Sequence, residues 1–217
     1  MSGPVPPTEP VHPIEAVHPI EAESYAIMAG RVDLSGWPAG ARDVVARMVH
    51  ATADESFART ARVGERAVAA AVSALRAGRP VVCDARMVVA GIPRVGASCF
   101  LDRVPEAPAG RGTRSEAAIE LAAGEHPDGA IWVIGNAPTA LRRLLRLHAD
   151  GRLRPAAVIG LPVGYVDAAE SKEALWASPL GDVSITNRGR RGGSPVAAAA
   201  VNALQRLAAA GPYTPPR

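Results

Sequence analysis

The stretch GAIWVIG (residues 129–135) is a continuous apolar run closed by a glycine. NAPT (residues 136–139) then leads from it into TALRRLLRLHAD (residues 139–150). A run this short between turn residues predicts a strand buried on both faces, and Pro138 suits the first turn of a following helix. Strand, turn and helix in that order form half of a parallel-sheet unit. The same grammar recurs on either side. PVVCD (80–84), ASCFL (97–101), PAAVIG (155–160) and DVSITN (182–187) are further short apolar runs. Between most of them lie helical segments, two of which open on a side-chain oxygen and a glutamate three residues apart: Thr113 with Glu116, and Asp167 with Glu170. Ser194-Pro195 opens the last helix. The expected fold is α/β, a single-domain three-layer sandwich with a mostly parallel sheet.

Ahead of the first strand the pattern is helical. Ile20, Ser24, Ile27 and Met28 begin one amphipathic segment, Val45, Met48, Val49 and Thr52 lie on one face of a second after Pro38, and residues 64–77 form a third that ends at Gly78. Residues 1–19 are proline-rich and read as a disordered tail, 20–210 as the domain and 211–217 as a C-terminal tail. VHPIEA occurs twice in succession, at 11–16 and 17–22. His12 and His18 both precede proline, which favours extended backbone and rules out the helical pairing of a metal site. Deletion of residues 1–16 is expected to leave folding and activity intact, with a stability change within about 1 kcal/mol. A larger fall in thermal stability would show that the first copy belongs to the fold.

The chain has 217 residues, 24 basic and 21 acidic, for a net charge of +3. The two signs are interleaved, as on a solvated surface with a mild preference for anionic ligands, and not as in a nucleic-acid footprint. Lys172 is the only lysine. Cys83 and Cys99 sit in apolar runs without CxxC spacing, which predicts free thiols in a reducing compartment. The N-terminus lacks a basic segment followed by an apolar core, and no run reaches membrane-spanning length, so the chain is read as cytoplasmic with no membrane partner. There is no GxxxxGK[ST], no GxGxxG and no GxSxG, which lowers the prospect of kinase, dehydrogenase or hydrolase chemistry. No metal-ligand spacing is present.

In an open parallel sheet ligands bind beyond the carboxyl ends of the strands. Four loops with unusual residues fall there: Asp84 to Met87, Gly135 to Thr139, Leu161 to Tyr165, and Arg188 to Ser194. The last, RGRRGGS, presents guanidinium forks and backbone N–H groups suited to carboxylates. His50 ends an amphipathic helix, whose C-terminus favours the imidazolium form.

Taken together, HPIEAESYAIM, VARMVHATAD, PVVCDARMVVAGI, GTRSEAAIEL, IWVIGNAPTAL, AAVIGLPVGYVDAAESKEAL and GRRGGSPVAAAAVNAL resemble the precorrin-8X methylmutase family, including its cobalt-precorrin-8 counterpart. The resemblance runs from about Ile20 to Leu207; IGNAPTAL and PVGYVDAAESKEAL are its most specific parts. It implies a homodimeric isomerase of cobalamin biosynthesis that needs no cofactor or metal and moves a methyl group from C-11 to C-12 of the macrocycle. Precorrin-8X or cobalt-precorrin-8 is then the substrate, with hand-over of the product to the next enzyme of the pathway. His50 matches the family's catalytic histidine, and Ser24, Arg114 and Ser115 match positions implicated in substrate contact. Loop position adds Arg86, Asn136, Thr139, Gly164, Lys172, Arg188, Gly192 and Gly193 as candidate substrate-binding residues. Where many members have Ala-Cys-Gly after the histidine, this chain has Ala51-Thr52-Ala53. Two other readings stay open: a non-catalytic tetrapyrrole carrier, and an arginine-dependent nucleic-acid binder.

Overall fold

In the computed structural model, which describes residues 19–105 and 112–210, the expected strands and helices alternate as read from the apolar runs. The strands are β1 (Ala61–Val63), β2 (Val81–Cys83), β3 (Ala97–Cys99), β4 (Ile131–Ile134), β5 (Ala157–Gly160) and β6 (Ser184–Asn187). The helices are α1 (Pro19–Ala29), α2 (Ala39–Thr52), α3 (Ser56–Thr60), α4 (Ala67–Arg76), α5 (Arg86–Gly91), α6 (Arg114–Glu125), α7 (Pro138–Ala149), α8 (Ala168–Ala177) and α9 (Ser194–Ala210). Of the two tails, residues 1–18 and 211–217 lie outside the described residues, while Pro19, read as the end of the first, begins α1.

The six strands form one sheet in the order β1-β6-β5-β4-β2-β3. All neighbours are parallel except β1, which runs antiparallel to β6 at one edge. β1 is not signalled by the sequence, since three residues are too few to show an alternation. Successive side chains of a strand point to opposite faces, and the core divides accordingly. Ile131 and Val133 join a cluster with residues of α2, α4, α5 and α9; Trp132 and Ile134 join one with α6, α7 and α8. This is the physical reason for the continuous apolar runs of β2, β4 and β5, whose two faces are covered by helices, whereas β3 at the edge of the sheet is only half-buried.

Local signals were kept unevenly. Thr113 and Glu116 form the expected reciprocal cap on α6. Asp167 does not cap α8: it sits at φ 62° with no side-chain cap bond, and its carboxylate instead takes the guanidinium of Arg142 from α7. Gly64, expected inside the third helix, precedes α4. A Cβ there would lie 2.3 Å from the Gly181 carbonyl oxygen, so the turn passes where no side chain fits.

Candidate functional site

The sheet reverses its direction of growth between β2 and β4, which are neighbours. From β2 the chain enters α5 on one face, and from β4 it enters α7 on the other. Such a switch point opens a crevice at the carboxyl ends of the strands. Here the molecule fills it with its own acid. Asp84, which follows β2 and is 1% exposed, accepts hydrogen bonds from the backbone N–H groups of Gly135 and Asn136, both at 2.9 Å, and of Ala137 at 2.7 Å. Burial pushes its carboxyl above the ordinary range, against the pull of those three donors. The positive end of α7 is therefore occupied. Asn136 keeps an exposed side chain, while its carbonyl accepts from the Val163 N–H at 3.4 Å. Thr139 pairs its hydroxyl with that of Thr113 at 2.9 Å, joining the starts of α6 and α7.

The loops after β5 and β6 are knitted to each other. Gly193 donates to the Leu161 carbonyl at 2.8 Å and Gly164 to that of Arg190 at 3.3 Å. A Cβ on Gly192 would come 2.4 Å from the carbonyl oxygens of both Leu161 and Pro162, so only glycine allows this approach. Beneath the loop lies Lys172. Expected at the ligand surface, it is instead fully buried, because its ammonium turns inward to the Asn187 side-chain oxygen at 2.9 Å and to the Arg191 carbonyl. It orders the β6 loop from below and has no exposed surface with which to touch a ligand. Arg188 is exposed, its N–H bonded to the Thr60 carbonyl. Arg191 pairs with Asp54 just beyond α2, tying the loop to the helix that carries His50.

His50 lies in the last turn of α2, half-buried, with its Nδ1 3.0 Å from the Ser24 hydroxyl of α1. The Tyr25 ring stacks on the imidazole with centroids 4.5 Å apart. Glu21, from the second VHPIEA copy, bridges Arg47 and Arg206, and Arg47 also reaches the Tyr25 hydroxyl. Burial acts to raise the Glu21 carboxyl, but the two guanidinium groups hold it below the ordinary range. The imidazolium expected at a helix end meets opposition. Burial first, and then Arg47, lower the pKa of His50 against the weaker help of Glu21. Glu21, Tyr25 and Arg47 lie within the stretches that carry the resemblance but were not singled out, and Arg206 lies in none of them; three separate helices bring the four together.

Ser115 is half-buried on the first turn of α6, and Arg114 beside it donates to the Leu101 carbonyl at 2.9 Å. Arg86, the first residue of α5, pairs with Asp102. Met87 in the first turn of α5, and Val163, Tyr165 and Val166 on the loop after β5, are exposed apolar side chains. A cavity of about 640 Å³ lies between α1, α2 and the end of α9, lined by Tyr25, Arg47 and Arg206 but not by His50. Cys83 and Cys99 are register partners on β2 and β3, and burial pushes both thiols up, which disfavours their thiolates. Among the described residues no group of three His, Cys, Asp or Glu side chains is placed to hold a metal, and no helix is long and apolar enough to cross a membrane.

A family model described as precorrin-8X methylmutase matches residues 19–207. The precorrin-8X methylmutase of a Sinorhizobium species is 42% identical over 192 residues, covering 84% of this chain and 91% of its own. The cobalt-precorrin-8 methylmutase of Priestia megaterium is 42% identical over 178 residues, covering 77% and 78%. The crystal structure of precorrin-8X methylmutase from Thermus thermophilus superposes with a TM-score of 0.81 at 39% identity, over 90% of this chain and 98% of that one.

Proposed function

The chain belongs to the precorrin-8X methylmutase family, and on that premise we propose that His50 is the group through which it directs methyl migration. It is an isomerase of cobalamin biosynthesis. The reaction we assign it moves the methyl group from C-11 to C-12 of precorrin-8X or its cobalt form, without an external donor. A shift within a conjugated ring needs neither nucleophile nor hydride carrier. What a protein adds is a fixed ring conformation and a proton that draws electron density from the ring.

The observation that carries this reading is the environment of His50. Ser24 engages Nδ1, Tyr25 fixes the ring plane, and among the described residues no partner takes Nε2. That nitrogen is left for a ligand. The lowered pKa makes the free imidazole largely neutral near pH 7, and an imidazolium formed there is the stronger acid for it. A substrate fringed with carboxylates brings negative charge that offsets Arg47 and Arg206. Binding therefore favours the protonated form at the moment it is needed.

Around this group we place Ser24, Arg86, Arg114, Ser115, Asn136, Thr139, Gly164, Arg188, Gly192 and Gly193 as the binding surface, with the exposed Met87, Val163, Tyr165 and Val166 as apolar cover for a flat ring. We take the working form to be a homodimer. What supports it is α1, which carries Ser24 yet buries no residue within one chain, and leaves Ile20 and Ile27 exposed. A cytoplasmic location is supported by the two free thiols. The reading includes hand-over of product to the next enzyme of the pathway.

Incubation with precorrin-8X, and separately with its cobalt complex, should change the absorption spectrum to that of the rearranged chromophore with at least one of them. Tight retention of coloured product without any turnover would make the protein a carrier instead.

A further inference from the structure

Resting on that reading, we propose that Glu21 is a positioning residue for His50: its carboxylate clasps α1 to α2 and α9, and so sets the Tyr25 ring on the imidazole face and the Ser24 hydroxyl on Nδ1. α1 presents one stripe to the rest of the chain. Glu21, Ser24, Tyr25 and Met28 are half-buried and recur at the i, i+3, i+4, i+7 spacing of a single helix face. No residue of α1 is fully buried, and of the four only Met28 packs against the apolar core. The other three make polar contacts. Apolar burial, the usual anchor of a helix, therefore contributes little here, and the polar contacts decide where α1 sits.

Those contacts form one continuous chain. Glu21 Oε1 accepts from Arg47 Nη1 of α2 and from Arg206 Nη2 of α9, the latter at 3.0 Å. The same Arg47 Nη1 donates to the Tyr25 hydroxyl at 3.4 Å, and the Tyr25 ring lies on that of His50 with their planes 7° apart. A carboxylate on α1 is thus joined to the imidazole through a guanidinium and an aromatic ring. The three charged side chains keep only 20% to 26% of their surface, so solvent and salt screen them less than an exposed pair. Arg31 and Glu55, which pair at 3.7 Å beyond the end of α1, are both exposed and hold far less. The cavity of about 640 Å³ supplies a second, independent observation. Ala22, Tyr25, Ala26 and Met28 line it from α1, Arg47 and Arg206 from the helices opposite. An unfilled space beside Tyr25 leaves the ring short of packing on that side, so its orientation leans on the tether through Arg47.

Loss of Glu21 has two effects that can be read apart. The first is geometric: Arg47 and Arg206 lose their common partner, and Tyr25 and Ser24 lose their register with the imidazole. Misplacing a reacting group by about 1 Å can cost on the order of a hundredfold in rate. The second is electrostatic. The charged groups that act on His50 are Glu21 from α1, Arg47 from α2 itself and Arg206 from α9; the Tyr25 hydroxyl is engaged with Arg47, and Asp54 beyond α2 is taken by Arg191. Of those three charges only Glu21 favours the imidazolium. Its removal lowers the His50 pKa further, so the pH at which the proton is lost moves down. Glutamine in its place keeps an acceptor oxygen without the charge, and aspartate keeps the charge on a side chain one methylene shorter.

The test uses the full-length protein. Glu21→Ala should convert precorrin-8X about ten- to a hundredfold more slowly at saturating substrate, while product affinity stays within a fewfold of wild type. Glu21→Gln should recover most of that rate on the low-pH plateau, yet its kcat/KM should fall off at lower pH than in wild type. Glu21→Asp should keep the limb closer to wild type without recovering the rate. A readout independent of turnover is the NMR spectrum of the His50 ring in the free protein, assigned by its absence in His50→Ala. The Tyr25 stack shifts the imidazole protons upfield. Glu21→Ala should lose that shift and titrate at lower pH; Glu21→Gln should keep the shift and also titrate lower. If Glu21→Ala does not fold, the other two variants decide on the same readouts. A lowered melting temperature with wild-type kcat, pH profile and His50 spectrum would make Glu21 a purely structural residue and overturn the proposal. If wild type fails to convert precorrin-8X, the functional reading is what fails, and the clasp then stands or falls on the His50 spectrum.

Discussion

His50→Ala is expected to fold, to bind the rearranged macrocycle, and to convert precorrin-8X a hundred- to ten-thousand-fold more slowly than wild type, the usual cost of losing a positioned general acid. The imidazole contributes little to the core: it is half-buried at a helix end and meets Tyr25 on one side. Its removal opens space but leaves Asp84, Lys172 and the glycine-rich loops untouched. Binding and turnover therefore separate, and single-turnover conversion followed by absorption measures the second while a titration with product measures the first. The pH profile supplies a further check. Because burial and Arg47 lower the pKa of His50 in the free protein, kcat/KM should fall as pH rises through a value below the ordinary histidine range. kcat should hold to higher pH, since the bound carboxylates favour the imidazolium. Conversion by a folded His50→Ala protein within a fewfold of wild type would falsify the proton-donor assignment.

Asp84→Ala should be the most destabilising single change at this edge of the sheet. It removes the acceptor of three buried N–H groups at once and leaves the start of α7 without a partner. Breaking a buried charged network by removing one side of it costs about 3–5 kcal/mol, which for a protein of this size lowers the melting temperature by roughly 6–20 °C. Asp84→Asn should fall between. Its side-chain oxygen can still serve Asn136 and Ala137, which share one carboxylate oxygen, but its amide would face the Gly135 N–H. Chemical denaturation of the three proteins checks the order. Equal stability of Asp84→Ala and wild type would mean that water replaces the carboxylate and that the end of α7 is open to a ligand after all.

The layered fold was legible because it rests on local patterns. Continuous apolar runs such as 131–134 are what a strand covered on both sides must look like, and the Thr113 cap and Pro138 mark where helices start whatever packs on them. The antiparallel edge β1 was not legible, since Ala61–Val63 becomes a strand only by pairing with β6. The second VHPIEA copy shows the same division. Its helical start could be read from Ile20 onward, but the value of Glu21 depends on Arg47 and Arg206, which are 26 and 185 residues away.

His50 and Ser24 could be named from motif resemblance, and their hydrogen bond across α1 and α2 puts them side by side. The protonation state could not be read that way. A helix end alone argues for imidazolium, and only the packed structure adds the burial and the Arg47 charge that reverse the balance. Lys172 and Asp84 make the point for the sheet edge. By residue type one is a surface cation and the other a loop acid, yet folding buries both, one under the β6 loop and the other in the switch-point crevice. Sequence determined the elements and their order, because hydrophobic period and capping are local properties of the chain. Tertiary structure alone decided which ionisable groups are buried and what they meet, because desolvation and charge pairing depend on neighbours brought together by folding.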